Sequence, residues 1–241
     1  MANTAKADLI LVGTVHGDPR GYSRAWRALS HWRPQLVTVE ISRFSWRYRR
    51  RQGRHWQRLF NQALGQLPFT AREHPAVQRV AAQIQWPFEY LVASHWGSSF
   101  GVPWVPVDIS GPSRCHLPRY ARELLTAANL GALAETSGPP LEDYVRMEFR
   151  RAHLRRRLPG FRLSLPQEAA ARRREHFQAQ RLRRLARSGR RLLHFGGWEH
   201  IVAWADGSGL ANLLADLAPT VMLLDEADGL AEEKQPALAK K

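Results

Sequence analysis

The stretch that decides the fold is Asp8 to Asp18, DLILVGTVHGD. Most residues from Leu9 to Val15 are apolar, and a turn rich in Gly, Asp and Pro follows them. An apolar run bounded by turn residues is typical of a strand buried on both faces inside a parallel sheet. Asp18 followed by Pro19 predicts the start of a helix. We therefore expect a β-turn-α unit that presents His16 at the carboxyl end of the strand, where open α/β sheets bind ligands.

Four further short apolar runs predict strands, and segments with helical spacing lie between them. These runs are Leu36 to Glu40 (LVTVE), Trp104 to Asp108 (WVPVD), Arg190 to Phe195 (RRLLHF) and Thr220 to Leu224. Alternation of buried strands with helices favours the α/β class. We expect a mostly parallel central sheet with helices on both faces.

The segment 119–189 contains no strand pattern and predicts a basic helical insertion or cap over one edge of the sheet. Two of its helices, Leu141 to Leu158 and Pro166 to Ser188, should pair as an antiparallel hairpin. The segment before it, ISGPSRCHLP (109–118), has the composition of a loop. We expect a single domain over 1–227 and a disordered polar tail over 228–241, since the tail has too little apolar surface to fold.

The 241 residues are enough for one α/β domain with its own core. The single cysteine, Cys115, excludes an intramolecular disulfide and a zinc site built from cysteines. The N-terminus has a very short apolar run and no cleavage site of small residues, so it resembles a first strand and not a signal peptide. No segment has the ~20 apolar residues of a membrane helix. We predict a cytoplasmic protein.

The net charge of +15 predicts attraction to nucleic acid, anionic lipid or acidic partners, but says nothing about fold. Most of the excess lies on the helices between Arg146 and Arg191. Their charges recur on several sides, so we expect a solvated surface with at most a non-specific affinity for nucleic acid or an anionic surface.

A second basic stretch, Ile41 to Leu67, interleaves arginines with aromatic residues. Such a mixture could stack bases and follow phosphates. The favoured interpretation is one or two amphipathic helices whose arginine stems lie over Trp46 and Trp56.

The candidate site combines four residues that lie at or just past the carboxyl ends of predicted strands: His16, Glu40, Asp108 and His200. These ends share one edge of a parallel sheet, so the four side chains should converge on one crevice. The two histidines are presented alike, in Gly13-Thr14-Val15-His16 and Gly197-Trp198-Glu199-His200.

These segments resemble the TraB/PrgY and Tiki family, within the wider erythromycin-esterase-like and ChaN-like group. The resemblance rests on LVGTVHGDP, on the VTVE strand after a proline, and on RRLLHFGGWEHI with the preceding helix RREHFQAQRLRRLA. It covers the two ends of the chain and not the middle.

The resemblance implies a metal-dependent hydrolase, of peptidase or esterase type, with some relatives that only bind. It assigns His16, Glu40 and His200 as motif residues, and Arg174 and Glu175 as matches to a helix motif. In the family, a Leu and another acidic or polar residue usually follow the strand-end acid. Here Ile41 and Ser42 follow it, so the resemblance assigns no role to the second of these positions.

The residue types are consistent with this chemistry. Two imidazoles and a carboxylate can bind Zn²⁺, Mn²⁺ or Co²⁺ and leave a position for water, whose pKa the metal lowers. Glu199 or Glu175 could then accept the proton, with Asp108 and Arg174 as further catalytic candidates. In a metal-free variant, Glu40 or Glu199 would orient His16, which would activate water itself.

The substrate should be a peptide or a small molecule with an amide or ester bond. The alternative is a non-catalytic protein of the same fold that holds a peptide or small molecule in the crevice.

Two other features receive structural interpretations. Gly97-Ser98-Ser99-Phe100-Gly101 matches the nucleophile elbow G-x-S-x-G, but an elbow needs a strand before it and a helix after it. We therefore predict that Ser99 is not a nucleophile. His194 lies within a predicted strand, which indicates an interior histidine.

Overall fold

A computed structural model describes residues 8–161 and 166–231. The fold is α/β with a five-stranded, all-parallel sheet, which confirms the predicted class. The strands are β1 (Leu9–Thr14), β2 (Leu36–Ser42), β3 (Trp104–Asp108), β4 (Leu192–Gly197) and β5 (Thr220–Leu223). Their order across the sheet is β3-β2-β4-β1-β5.

The decisive stretch forms an interior strand. All six residues of β1 are buried, and the strand pairs with β4 on one side and β5 on the other. The register sets Thr14 opposite Gly197, so the two G-x-x-H segments leave the sheet side by side. This register places the carboxyl ends of β1 and β4 at the same edge of the sheet.

Helices fill the connections between the strands. The longer ones are α1 (Gly21–Trp32), α2 (Arg43–Gly65), α4 (Pro75–Ile84), α5 (Phe88–Phe100), α7 (Ala127–Ala134), α8 (Leu141–Arg157) and α9 (Pro166–Ala186). The short ones are α3 (Phe69–Arg72), α6 (Ser110–His116), α10 (Trp198–Ile201) and α11 (Leu210–Leu213). Leu117–Arg119, Ala215–Leu217 and Leu224–Gly229 are 3₁₀ turns, and Tyr120–Leu124 is a π-helical turn.

Alternate strand residues face two different cores. Ile10 and Val12 point to one face, which α1, α5 and α8 cover. Leu9 and Leu11 point to the other, which α9 and α11 cover. This alternation is the period of two that a strand imposes on its side chains.

The basic helices α8 and α9 do not form the predicted hairpin. Val145 and Phe149 of α8 lie in the first core, whereas Ala179 and Leu182 of α9 lie in the second. The two helices therefore lie on opposite faces of the sheet. Each has enough apolar residues on one side to cover a sheet face, and this burial outweighs the contact that a hairpin would provide.

A third core lies outside the two sheet faces and joins α2, α4 and α7. Its buried centre includes Trp56, Phe60, Val77 and Leu130. Residues 119–189 are thus divided among three places: α7 in this helical core, and α8 and α9 on the two faces of the sheet.

Several predicted boundaries were wrong. Helix α1 begins at Gly21 and not after Asp18, because the Asp18 carboxylate accepts from the Arg20 backbone N–H and pairs with Arg24 at 2.7 Å. The expected loop 109–118 contains α6, which packs on α2. At the start of the predicted helical segment 119–189, the chain forms the π-helical turn Tyr120–Leu124 and then α7.

The C-terminal prediction was also wrong at its start. Asp228 lies in a 3₁₀ turn and pairs with Arg24 at 2.7 Å, so the chain is ordered at this position. Residues 232–241 of the predicted tail lie outside the described residues. Among the described helices, none is both long enough and apolar enough to cross a membrane.

Candidate functional site

The carboxyl edge of the sheet lines a cavity of about 510 Å³. A volume of this size suits a small-molecule ligand. Six of the seven predicted site residues line the cavity: His16, Glu40, Asp108, Arg174, Glu199 and His200. The seventh, Glu175, is fully buried behind His200. Parallel strands therefore bring distant parts of the chain together here.

Glu40 lies at the floor of the cavity and is held from two sides. Its Oε2 accepts from the backbone N–H of Gly197 at 2.6 Å, and its Oε1 lies 2.8 Å from Nη2 of Arg174. Burial alone would raise the pKa of Glu40. The charges of Arg174 and His200 and the Gly197 hydrogen bond overcome this effect and hold the pKa at about 2. Glu40 is therefore a carboxylate over the whole physiological range.

Arg174 comes from α9 and organises the acidic groups. Its Nε and Nη2 donate to the two carboxylate oxygens of Asp108 at 2.6 and 2.7 Å, in the bidentate geometry typical of arginine. Asp108 also accepts from Gln178 and from the backbone of Ile109. The guanidinium group is thus fixed between the ends of β2 and β3.

His200 is oriented by a buried carboxylate. Its Nδ1 lies 2.8 Å from Glu175 Oε1, and the other oxygen of Glu175 accepts from Gly209 N–H. The remaining nitrogen, Nε2, lies 3.7 Å from Glu40 and 3.4 Å from Nη1 of Arg174. Burial opposes the charged imidazolium, but Glu40 and Glu175 favour it, and the net result is a raised pKa for His200.

His16 and Glu199 lie in the more open part of the site. Both side chains are exposed and line the cavity. His16 lies two residues past the end of β1 and lines the cavity wall.

Glu89 was missed by the sequence analysis. It lies on α5, is 7% exposed, lines the cavity and accepts a hydrogen bond from the Thr14 hydroxyl at 2.8 Å. Burial raises its pKa, which favours a neutral carboxyl group. The signal for it was a lone acid in the otherwise uncharged stretch Trp86 to Val92. A buried acidic residue in such a stretch needs a hydrogen-bond partner or a charged partner, or it has a functional role.

The predicted metal ligands do not form a metal site in this arrangement. Within the described ranges, no three His, Cys, Asp or Glu side chains lie close enough to bind one ion. Glu40 and His200 lie close together, but the Arg174 guanidinium group lies against both of them. It therefore occupies the position that a bound metal ion would need. His16 does not complete a set with them. The residues present therefore do not fit a bound divalent metal.

The chain matches no protein-family model, no curated protein and no solved structure. The resemblance to the TraB/PrgY and Tiki family therefore stays a prediction.

The structure agrees with the structural interpretations of Ser99 and His194. Ser99 is exposed within α5, which is a helix with no strand immediately before it, so the elbow geometry is not present. His194 is fully buried in β4, where its Nδ1 lies 3.1 Å from the Thr38 hydroxyl. Burial lowers the pKa of His194 to about 4, so this imidazole is neutral.

Proposed function

We propose that this protein is a hydrolase that cleaves a small ester or amide in the cavity, with His16 as general base and Arg174 and His200 as oxyanion donors. The observation that supports this most strongly is the 3.4 Å separation between Nη1 of Arg174 and Nε2 of His200. In this structure the Arg174 N–H is directed at Nε2. When His200 is protonated, which its raised pKa favours, both groups are donors and can share one substrate oxygen. Such fixed donors are usually the largest single contribution to acyl-transfer catalysis.

The surrounding carboxylates keep these donors in place. Glu175 binds Nδ1 of His200, and Glu40 lies near its Nε2, so the protonated imidazole is favoured beside a second cation. Asp108 fixes the guanidinium group of Arg174 in its plane. In this arrangement the Arg174 and His200 cations polarise the substrate carbonyl.

His16 supplies the base. This histidine is exposed at the cavity wall, and an imidazole is the side chain that most often acts as a general base. It would remove a proton from water as the water oxygen bonds to the substrate carbonyl carbon. The same proton then passes from His16 to the leaving oxygen or nitrogen as that bond breaks. The carbonyl oxygen accepts from Arg174 and His200 throughout.

A panel of chromogenic esters and anilides tests the proposal. We expect wild-type turnover and a fall in kcat of about 10²-fold or more in His16→Gln, typical of the loss of a general base. Arg174→Lys keeps the charge but loses the planar fork, and should cost about 10²–10³-fold in kcat. His31→Gln is the control, because His31 is exposed on α1 and outside the cavity.

Turnover that survives in His16→Gln would contradict the assignment of the base. If the wild-type protein binds panel compounds in thermal-shift assays but hydrolyses none of them, the alternative of a non-catalytic binding protein is favoured.

A further inference from the structure

The outward face of α2 carries a continuous stripe of arginines, which we call the α2 stripe. Its members are exposed and recur every three or four residues: Arg43, Arg47, Arg50, Arg51, Arg54 and Arg58. This spacing keeps them on one face of the helix, with charges about 6 Å apart along the axis. The stripe therefore extends for about 22 Å.

The stripe has no counter-charge among the residues that the structure describes. Helix α2 contains no Asp or Glu at all, and no stripe arginine forms an ion pair with another described residue. Exposed arginines elsewhere do pair: Arg119 with Glu123, Arg146 with Asp143, and Arg183 with Asp216. The arginines of α2 thus have no acid on their own helix, in contrast to those of α8, which carries Glu142, Asp143 and Glu148.

Helix α9 adds to the same positive surface. Burial lowers the pKa of Arg181 on α9, and the charges of Arg43 and Arg184 lower it further. Like charges brought together destabilise the folded state, and a polyanion bound across them would relieve this repulsion.

The opposite face of α2 limits what the partner can be. Trp56, Phe60 and Ala63 are buried in the helical core with α4 and α7. A helix that inserts into a membrane interface needs its apolar face free to enter the lipid. Helix α2 has no such free face, so the stripe can contact an anionic surface only through its charges.

The type of cationic side chain on this surface favours phosphate as the bound anion. Apart from histidines, every cationic side chain between residues 8 and 231 is an arginine. A guanidinium group donates two parallel hydrogen bonds to phosphate oxygens, whereas lysine acts as a point charge. Aromatic rings flank the stripe: Arg50 lies over Trp46 at 5.9 Å, and Arg114 lies over Phe44 at 5.5 Å. These rings stiffen the arginines and offer partly exposed faces near the bases of a bound strand.

We propose that the α2 stripe is a nucleic-acid-binding surface that contacts the phosphodiester backbone without sequence preference. The basis is a row of exposed arginines on one face of a single helix, with no ion pair to another described residue and with aromatic rings beside it. This surface is separate from the proposed hydrolase chemistry and does not depend on it.

Fluorescence anisotropy with the full chain tests the proposal, using a labelled 30-nucleotide oligo(dT) and a labelled 30-base-pair duplex. Non-specific binding of this kind has a Kd of about 10⁻⁶–10⁻⁴ M at physiological salt. The triple variant Arg47→Gln, Arg51→Gln, Arg54→Gln should weaken binding at least tenfold. Its plot of log Kd against log salt should be shallower by roughly 2 to 3, since each phosphate contact contributes about 0.7–0.9.

The matched control is Arg150→Gln, Arg157→Gln, Arg187→Gln, which removes the same charge from exposed sites on α8 and beyond α9. Its Kd should change by less than threefold. The proposal is overturned if the control weakens binding as much as the α2 variant, if the wild-type protein binds neither probe at 50 mM salt, or if phosphatidylserine vesicles bind it and the oligonucleotides do not compete. Circular dichroism of both variants checks that the helices remain folded.

Discussion

Oε1 of Glu40 lies 2.8 Å from Nη2 of Arg174, although one residue lies near the carboxyl end of β2 and the other in the middle of α9. Both side chains are largely buried, at 9% and 31% exposure. The contact joins the sheet to the helix on its second face, directly beneath the cavity. Its electrostatics therefore bear on stability as well as on function.

Glu40→Gln should destabilise the protein at neutral pH. Arg174 then keeps only Asp108 as its partner, so the loss should be smaller than the cost of about 3–5 kcal/mol for a buried charge left without any partner. The pKa of Glu40 lies at about 2 in the folded chain, below its ordinary value of 4.5. The stabilisation by ionised Glu40 is therefore complete above pH 4.5 and declines as the pH falls towards 2.

Urea denaturation at pH 7 and pH 3 measures this effect. The difference in unfolding free energy between wild type and Glu40→Gln should be smaller at pH 3. Asp143→Asn removes an exposed carboxylate that pairs with Arg146, and should change stability by less than about 1 kcal/mol. Equal differences at both pH values for Glu40→Gln would contradict the ion-pair explanation.

Gly196→Ala should disturb the site through sterics alone. A Cβ atom at this position would lie 2.8 Å from Oε2 of Glu40 and 2.9 Å from Nε2 of His194, and neither side chain can move freely in its buried setting. We expect a loss of stability of about 1–3 kcal/mol, as for other overpacked core sites, and impaired ligand binding.

Gly53→Ala is the matched control for this substitution. Gly53 lies within α2, and a Cβ there meets nothing within 4 Å. Alanine should therefore stabilise the helix by about 0.5–1 kcal/mol. Thermal unfolding of the two variants should move in opposite directions, and a shared direction would count against the steric argument.

Divalent metal should not bind at Glu40 and His200. The positive charge of Arg174 lies against both side chains and repels a cation from the position between them. Calorimetric titration of untagged protein with Zn²⁺ and Mn²⁺ should give the same result for wild type and for His200→Gln. One equivalent bound by the wild type and lost in both His16→Gln and His200→Gln would restore the metal site that the family resemblance implies.

The five strands could be predicted because their signal is local. An apolar run between turn residues has few ways to bury itself, and Trp104–Asp108 begins and ends where the sequence predicted. The pairing of helices could not be predicted in the same way. The sequences of α8 and α9 show that each has an apolar side, but not which face of the sheet covers it, and the hairpin prediction failed for that reason.

The sequence by itself determined which side chains could meet, since parallel strands bring His16, Glu40, Asp108 and His200 to one edge. Only the tertiary structure decided how they meet. Arg174 lies against both Glu40 and His200, because α9 packs with that side chain directed at the ends of β2 and β3. Glu89 joins the cavity from α5 on the opposite face. These contacts depend on the packing of helices against the sheet, and no local pattern encodes the distances between segments so far apart in the chain.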